Sequence, residues 1–246
     1  MNNREDWFIN WFNSKYYHIL YESRNKNEAN NFIKNIISNL SLESNKSVLD
    51  LGCGNGRHSI SLSNHFKLVH GMDISSENIS QANENKKDNL KFFISDMRNF
   101  VSDSKYGYIF NLFTSFGYFK KNEDNINVLK SCYNHLNRDG LLFIDFLNSE
   151  KIKMTVNILK ERKNISGIKF NISKQIIDNY VVKNIKVKDK GNTYDFQEKV
   201  QLLNIKDFKK MFEISGFEII STYGNYQMKP YDLDSSRLIL CAKKVS

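Results

Sequence analysis

The sequence predicts an α/β fold: a doubly wound parallel sheet with an antiparallel β insert near the C-terminal end. Three observations predict it. Short apolar runs alternate with amphipathic helical stretches between residues 47 and 146. A loop with glycines at alternate positions follows the first apolar run, in "VLDLGCGNGRHS" (48–59). Beyond residue 147 the pattern changes to period-2 alternation, the signature of strands with one buried face. Alternating strand and helix builds a parallel sheet because each helical crossover carries the chain back to the end at which the previous strand began.

The elements follow in order. Trp7, Phe8, Trp11 and Phe12 share one helical face and Tyr17, Leu20 and Tyr21 another, so Asn13-Ser14 divides residues 7–24 into two short helices. Residues 28–40 put Ala29, Phe32, Ile33, Ile36, Ile37 and Leu40 on one stripe, an amphipathic helix. "SVLDL" (47–51), "KLVHGMD" (67–73), "LKFFIS" (90–95), "YGYIFNLF" (106–113) and "LLFIDF" (141–146) read as strands. Ser75, with Glu77 in the first turn, starts the helix after the second strand. Residues 123–136 form a helix, and Asn137 to Gly140 a turn. Residues 149–160 read as helical. Three alternating segments then make an antiparallel insert over 165–203, with a turn at 190–192. A helix over 205–215 stops at Gly216, and strands at 217–224 and 237–244 close the chain. The expected organisation is one domain, 1–246, with an N-terminal helical lid (1–44) and the insert (165–203) as a cover over the active site.

Composition narrows the function classes. No apolar run reaches the ~18 residues a bilayer span needs, so no membrane association is expected. Cys53, Cys132 and Cys241 lie far apart with no paired spacing, which suits a reducing, cytoplasmic setting. No His, Cys and Asp cluster has metal-ligand spacing, and no metal is expected. The net charge of +9 comes entirely from residues 151–246, with 19 basic and 10 acidic side chains; residues 1–150 carry 17 of each. A solvated lysine-rich face explains this. In the lysine-rich strand, Val181, Ile185 and Val187 are expected inward and Lys183, Lys186 and Lys188 outward. Base-stacking aromatics are scarce there, so nucleic acid is an unlikely partner.

Gly52, Gly54 and Gly56 let the backbone turn sharply and approach a ligand. A dinucleotide loop would read G-x-G-x-x-G, but its sixth position here is Arg57. Two further acids end strands on the ligand side: Asp73, placed to accept ribose hydroxyls, and Asp96, followed by Met97. With Asp50-Leu-Gly52-Cys-Gly54-Asn-Gly56, these residues resemble the class I S-adenosylmethionine-dependent methyltransferases. The likeness is tight over about 45–150. It implies a Rossmann-like seven-stranded sheet whose last strand is antiparallel. It also implies that Gly52, Cys53, Gly54, Asn55 and Gly56 face the methionine half of the cofactor. Asp73 would then hold the ribose, Ile74 would pack on the adenine, and Asp96 and Met97 would meet its edge. "WFINWF", "YYHILYESR" and the tail "YGNYQMKPYDLDSSRLIL" also resemble a group of small bacterial methyltransferases, in the style of glycine and amino-sugar N-methyltransferases. By that likeness Tyr17 covers the methionine moiety and Arg24 pairs with its carboxylate.

The implied reaction is methyl transfer to N or O of a small molecule. The alternative is an RNA or protein methyltransferase docking through the basic C-terminal part. The segment "NLFTSFGYF" (111–119) lacks the Asn/Asp-Pro-Pro-aromatic motif of enzymes that methylate base amines. Expected substrate contacts are Asn111, Phe116, Tyr118, Tyr223 and Tyr226, with His18 and Tyr118 as candidate catalytic groups.

Overall fold

The computed structural model describes residues 7–22, 26–156 and 159–245. Two short helices, α1 (Trp7–Phe12) and α2 (Lys15–Leu20), precede a long one, α3 (Lys26–Leu40). Then come β1 (Ser47–Leu51), α4 (Arg57–Leu62), β2 (Leu68–Asp73), α5 (Ser76–Asn83), β3 (Leu90–Ile94), β4 (Tyr106–Asn111), α6 (Asn122–His135) and β5 (Leu136–Leu147). The remainder is α7 (Ser149–Thr155), β6 (Leu159–Ile165), β7 (Ile168–Ile177), β8 (Tyr180–Asp189), β9 (Asn192–Gln201), α8 (Ile205–Ile214), β10 (Phe217–Tyr223) and β11 (Arg237–Lys244).

Seven strands form one sheet in the order β10-β11-β5-β4-β1-β2-β3. β11 runs antiparallel to both its neighbours, and the β1–β2, β2–β3, β1–β4 and β4–β5 pairs are parallel. Side-chain alternation feeds two cores. Leu49, Met72, Ile109, Ile144 and Leu240 pack on one face against Leu129 of α6 and Phe208 and Phe212 of α8. Val48, Val69, Phe110, Phe143 and Ile239 pack on the other against Phe32, Ile33 and Ile36 of α3. Both faces are covered, which is why these strands read as continuous apolar runs. The 137–140 turn is absorbed into β5, whose pairing with β4 is irregular between Tyr106 and Tyr108.

The second sheet has four antiparallel strands, β6-β7-β8-β9. Two expectations are corrected here. The helix after 149 stops at Thr155, and Leu159–Ile165 is a strand paired with β7. Its sequence, LKERKNI, lies on an edge with little to bury, so it shows no alternation. Lys183 shares the parity of Val181, Ile185 and Val187 and therefore faces inward, opposite Glu198 and Lys174. That inner face packs on the N-terminal helices: Trp11, Tyr16 and Leu20 form a core with Phe170, Ile172, Ile185 and Val187. Polar ties reinforce the packing. Tyr16 Oη donates to Asp189 at 3.0 Å and Trp11 Nε1 to Glu198 at 2.8 Å.

Candidate active site

β1 has β2 on one side and β4 on the other, so the strand order reverses beside it and opens a crevice at the strands' C-terminal ends. The glycine loop fills this position. Its backbone N–H groups at Gly52 and Cys53 donate to the carbonyl of Met72, at 2.8 and 2.9 Å. Gly52 has φ +74°, and a Cβ there would lie 2.8 Å from the Cβ of Ser115. Only glycine meets both demands. Gly56, with φ +83°, precedes α4, and a Cβ on it would strike the Phe92 ring at 2.7 Å.

Three carboxylates stand around the loop in different electrostatic states. Asp50 is buried beneath it and accepts from Ser59 Oγ at 2.5 Å. Burial pushes its pKa up to about 7, with Asp73 adding to the rise and the Ser59 hydrogen bond opposing it. Asp73 accepts from Gly54 N and Ser75 N, each at 2.9 Å, and from Asn78 Nδ2 at 3.2 Å. Burial raises its pKa against the pull of these donors. At Asp96, burial acts upward but the Arg98 guanidinium outweighs it and holds the pKa below the usual range; Arg98 Nε lies 3.0 Å from both oxygens.

A cavity of about 1090 Å³ opens on this crevice. Among the sequence-predicted residues it is lined by Tyr17, His18, Gly52, Cys53, Gly54, Asn55, Asp73, Ile74, Asp96, Met97 and Tyr118. Burial raises the Cys53 thiol well above its usual pKa, so it is a neutral packing group. Burial lowers the pKa of His18, against the attraction of Glu77, and its Nε2 has no hydrogen-bond partner among the described residues.

Other expected residues stand apart from the lining. Phe116 is fully buried, its ring 5.6 Å from Phe208, and is a core residue. Asn111 is buried and ties β4 to β1 through a 2.8 Å bond to the Leu51 carbonyl. The Tyr226 ring lies 4.3 Å from that of Phe32, tilted by 33°, and its hydroxyl donates to Asp145 at 3.2 Å, with Tyr223 packed in the same core. The β10–β11 connection lies against α3, where Asn35 Nδ2 donates to the Tyr226 carbonyl at 2.8 Å, while Tyr223 ends β10 itself. Gly56 shapes the loop from behind. Arg24 lies outside the described residues.

The structure adds groups that sequence reasoning missed. Arg237 Nε contacts Asp145 at 2.7 Å and its Nη2 donates to Thr114 Oγ1 at 2.7 Å. Asp145 also accepts from Phe113 N, and its carbonyl accepts from Thr114 N, each at 2.9 Å. These bonds hold Phe113 and Thr114 at φ +62° and +61°, a region costly for a β-branched residue. Tyr118 Oη closes the turn by donating to the Thr114 carbonyl. A lone Asp in a buried strand was the available signal, since such a charge requires a partner. Glu198 of β9 reaches the cavity from the second sheet, and Phe8 and Phe12 from α1.

The donor set fits S-adenosylmethionine. The loop is a cradle with no room for side chains at Gly52, strand-end carboxylates suit ribose and adenine donors, and Ile74 and Met97 offer apolar faces to a flat ring. Residues 48–140 match the family described as Methyltransferase domain. The chain is 28% identical over 237 residues to the glycine/sarcosine N-methyltransferase of Aphanothece halophytica, covering 92% of this chain and 85% of that one. It is 21% identical over 209 residues to a cypemycin N-terminal methyltransferase from a Streptomyces species, covering 81% and 83%. A solved S-adenosylmethionine-dependent methyltransferase from Clostridium acetobutylicum ATCC 824 shares the fold with a TM-score of 0.80, at 19% identity, over 94% of this chain and 96% of that one. Residues 48–140 are thus a methyltransferase domain, and the chain has the fold of a solved S-adenosylmethionine-dependent methyltransferase.

Proposed function

We propose that this enzyme methylates the amine nitrogen of a small molecule. The observation that carries the reading is the composition of the cavity beyond the glycine loop. Its walls there are aromatic, with Phe8 and Phe12 from α1, Tyr17 from α2, and Tyr118 and Phe119 after β4. Ring faces attract cations, so they suit an acceptor that arrives protonated and a cofactor that carries a sulfonium. Of the two relatives named above, one is by name a glycine/sarcosine N-methyltransferase and the other an N-terminal methyltransferase, which supports nitrogen over oxygen. An amine that has lost its proton is a nucleophile at neutral pH, whereas an alcohol needs a strong base.

The cofactor, when bound, supplies a methyl group on a positively charged sulfur. The chain's residues orient and shield. Gly52 to Asn55 would hold the methionine portion, Asp73 the ribose, and Asp96 with Ile74 and Met97 the adenine. Tyr17 would close over the methionine end and Tyr118 would bound the acceptor. The helices α1 and α2 and the second sheet would act together as a cover that excludes water and aligns the reactants.

Incubation with methyl-labelled cofactor and a panel of amino acids, amino sugars, aryl amines and matched alcohols and phenols tests the reading. Label in at least one amine and in none of its oxygen counterparts is expected. Transfer to a phenol or alcohol, with every amine inert, contradicts it.

A further inference from the structure

The cover side of the cavity holds a carboxylate, Glu198, to which no cofactor role is assigned. Glu198 stands on the inner face of the second sheet, in a row otherwise occupied by Tyr194, Phe196 and Val200. It lines the cavity at the cover side, away from the glycine loop on the sheet side. A carboxylate on such a face carries a desolvation cost that opposite charge or donors must offset.

Its two oxygens are used unequally. Oε1 accepts from Trp11 Nε1 at 2.8 Å and from Tyr21 Oη at 2.5 Å. These donors fix the carboxylate's direction from the lid. Oε2 makes one contact among the described residues, the ammonium of Lys183 at 3.5 Å. That separation is an ion contact longer than an ordinary hydrogen bond, and a carboxylate oxygen has two acceptor positions. The same Lys183 ammonium lies 4.6 Å from the centroid of the Tyr21 ring. The chain thus shows, with its own lysine, that an alkylammonium is accepted between Tyr21 and Glu198.

We infer that Glu198, which lines the cavity with Tyr17 and Tyr21, anchors the ammonium group of the methyl acceptor. The inference rests on the amine reading above and adds its specificity determinant. A positively charged amine, primary or secondary, is selected over a neutral molecule of the same shape. Lys183, on the neighbouring strand, competes for the carboxylate and weakens the attraction. The anchor is a binding residue; the proton must still leave the nitrogen before its lone pair is available for transfer.

Calorimetry on the full chain saturated with S-adenosylhomocysteine tests this without turnover. The probes are benzylamine, protonated at pH 7, and benzyl alcohol, nearly the same shape without charge. The wild type is expected to prefer benzylammonium at least tenfold. Glu198→Gln keeps an acceptor for Trp11 and Tyr21, so the fold is retained, and should lower that preference about tenfold while leaving benzyl alcohol and S-adenosylhomocysteine affinities unchanged. Lys183→Met removes the competitor and should raise benzylammonium affinity several-fold. Equal binding of the two probes to the wild type, or an unchanged preference in both variants, overturns the anchor. Preferential benzylammonium binding without methyl transfer to any amine overturns the reaction reading and leaves the anchor standing. Amine turnover with unchanged KM in Glu198→Gln does the reverse.

Discussion

Asp73 illustrates how one residue carries two loads. Its carboxylate holds the glycine loop through Gly54 and starts α5 through Ser75 and Asn78, and it faces the cavity where a ribose would lie. Asp73→Ala is expected to weaken cofactor binding by about 1.5–3 kcal/mol, the cost of losing hydrogen bonds to a charged acceptor. A smaller fall in Tm should accompany it. Calorimetry giving wild-type cofactor affinity in the folded variant refutes the ribose role. Asp50 makes a different prediction. Its folded pKa of about 7 exceeds the unfolded value of about 3.9, so between these values the folded state keeps a proton that the unfolded chain has released. Stability from this group is complete below about pH 4 and is lost as pH rises towards 7. Asp50→Asn should therefore show a flatter dependence of Tm on pH between 5 and 8 than the wild type. Parallel profiles for the two proteins refute the assignment.

Elements differed in how legible they were. The central strands β1, β4 and β5 were readable because burial on both faces leaves apolar runs, and α3 because its stripe is long. The strand β6 was not, since an edge strand with polar residues on both faces carries no period. The inward turn of Lys183 was implicit in the parity of β8, yet its charge suggested solvent; the partner that makes it tolerable, Glu198, lies on the next strand. Loop residues near the candidate site divided the same way. Glycines and strand-end acids announce themselves by spacing. Phe116 and Tyr226 depended on how a loop folds back, and Asn111 and Tyr223 on which way a strand's last residue turns, neither of which local pattern encodes. The Asp145–Arg237 pair is nonlocal too, joining adjacent strands 92 residues apart in sequence. Because Asp145 is fully buried, Arg237→Met should destabilise the protein by about 3–5 kcal/mol, the typical cost of stranding a buried charge. A thermal melt showing no loss of stability removes this pair from the account of how Phe113 and Thr114 are held.

At the scale of the molecule, charge and shape are separable. Among the described residues no helix is long and apolar enough to cross a membrane. The basic excess lies mostly on the second sheet, where Lys186 and Lys188 are exposed and the inner face packs on α1 and α2. If acceptors are small, raising salt should alter turnover only mildly through screening. A protein docking RNA through several phosphates would instead lose affinity by about 0.7 log units per contact for each log unit of salt. A gel-shift titration with tRNA is expected to show no submicromolar binding at physiological salt; tight, steeply salt-dependent binding that disappears with Lys186→Glu and Lys188→Glu contradicts the small-molecule reading. The central claim, transfer of a methyl group to nitrogen inside the covered cavity, is tested most directly by carbon-13 NMR of the product formed from cofactor carrying a carbon-13 methyl. A new signal is expected at the shift of a methyl carbon bonded to nitrogen, formed in step with S-adenosylhomocysteine. A signal at the shift of a methyl carbon bonded to oxygen, or cofactor consumption with no methylated product, contradicts it.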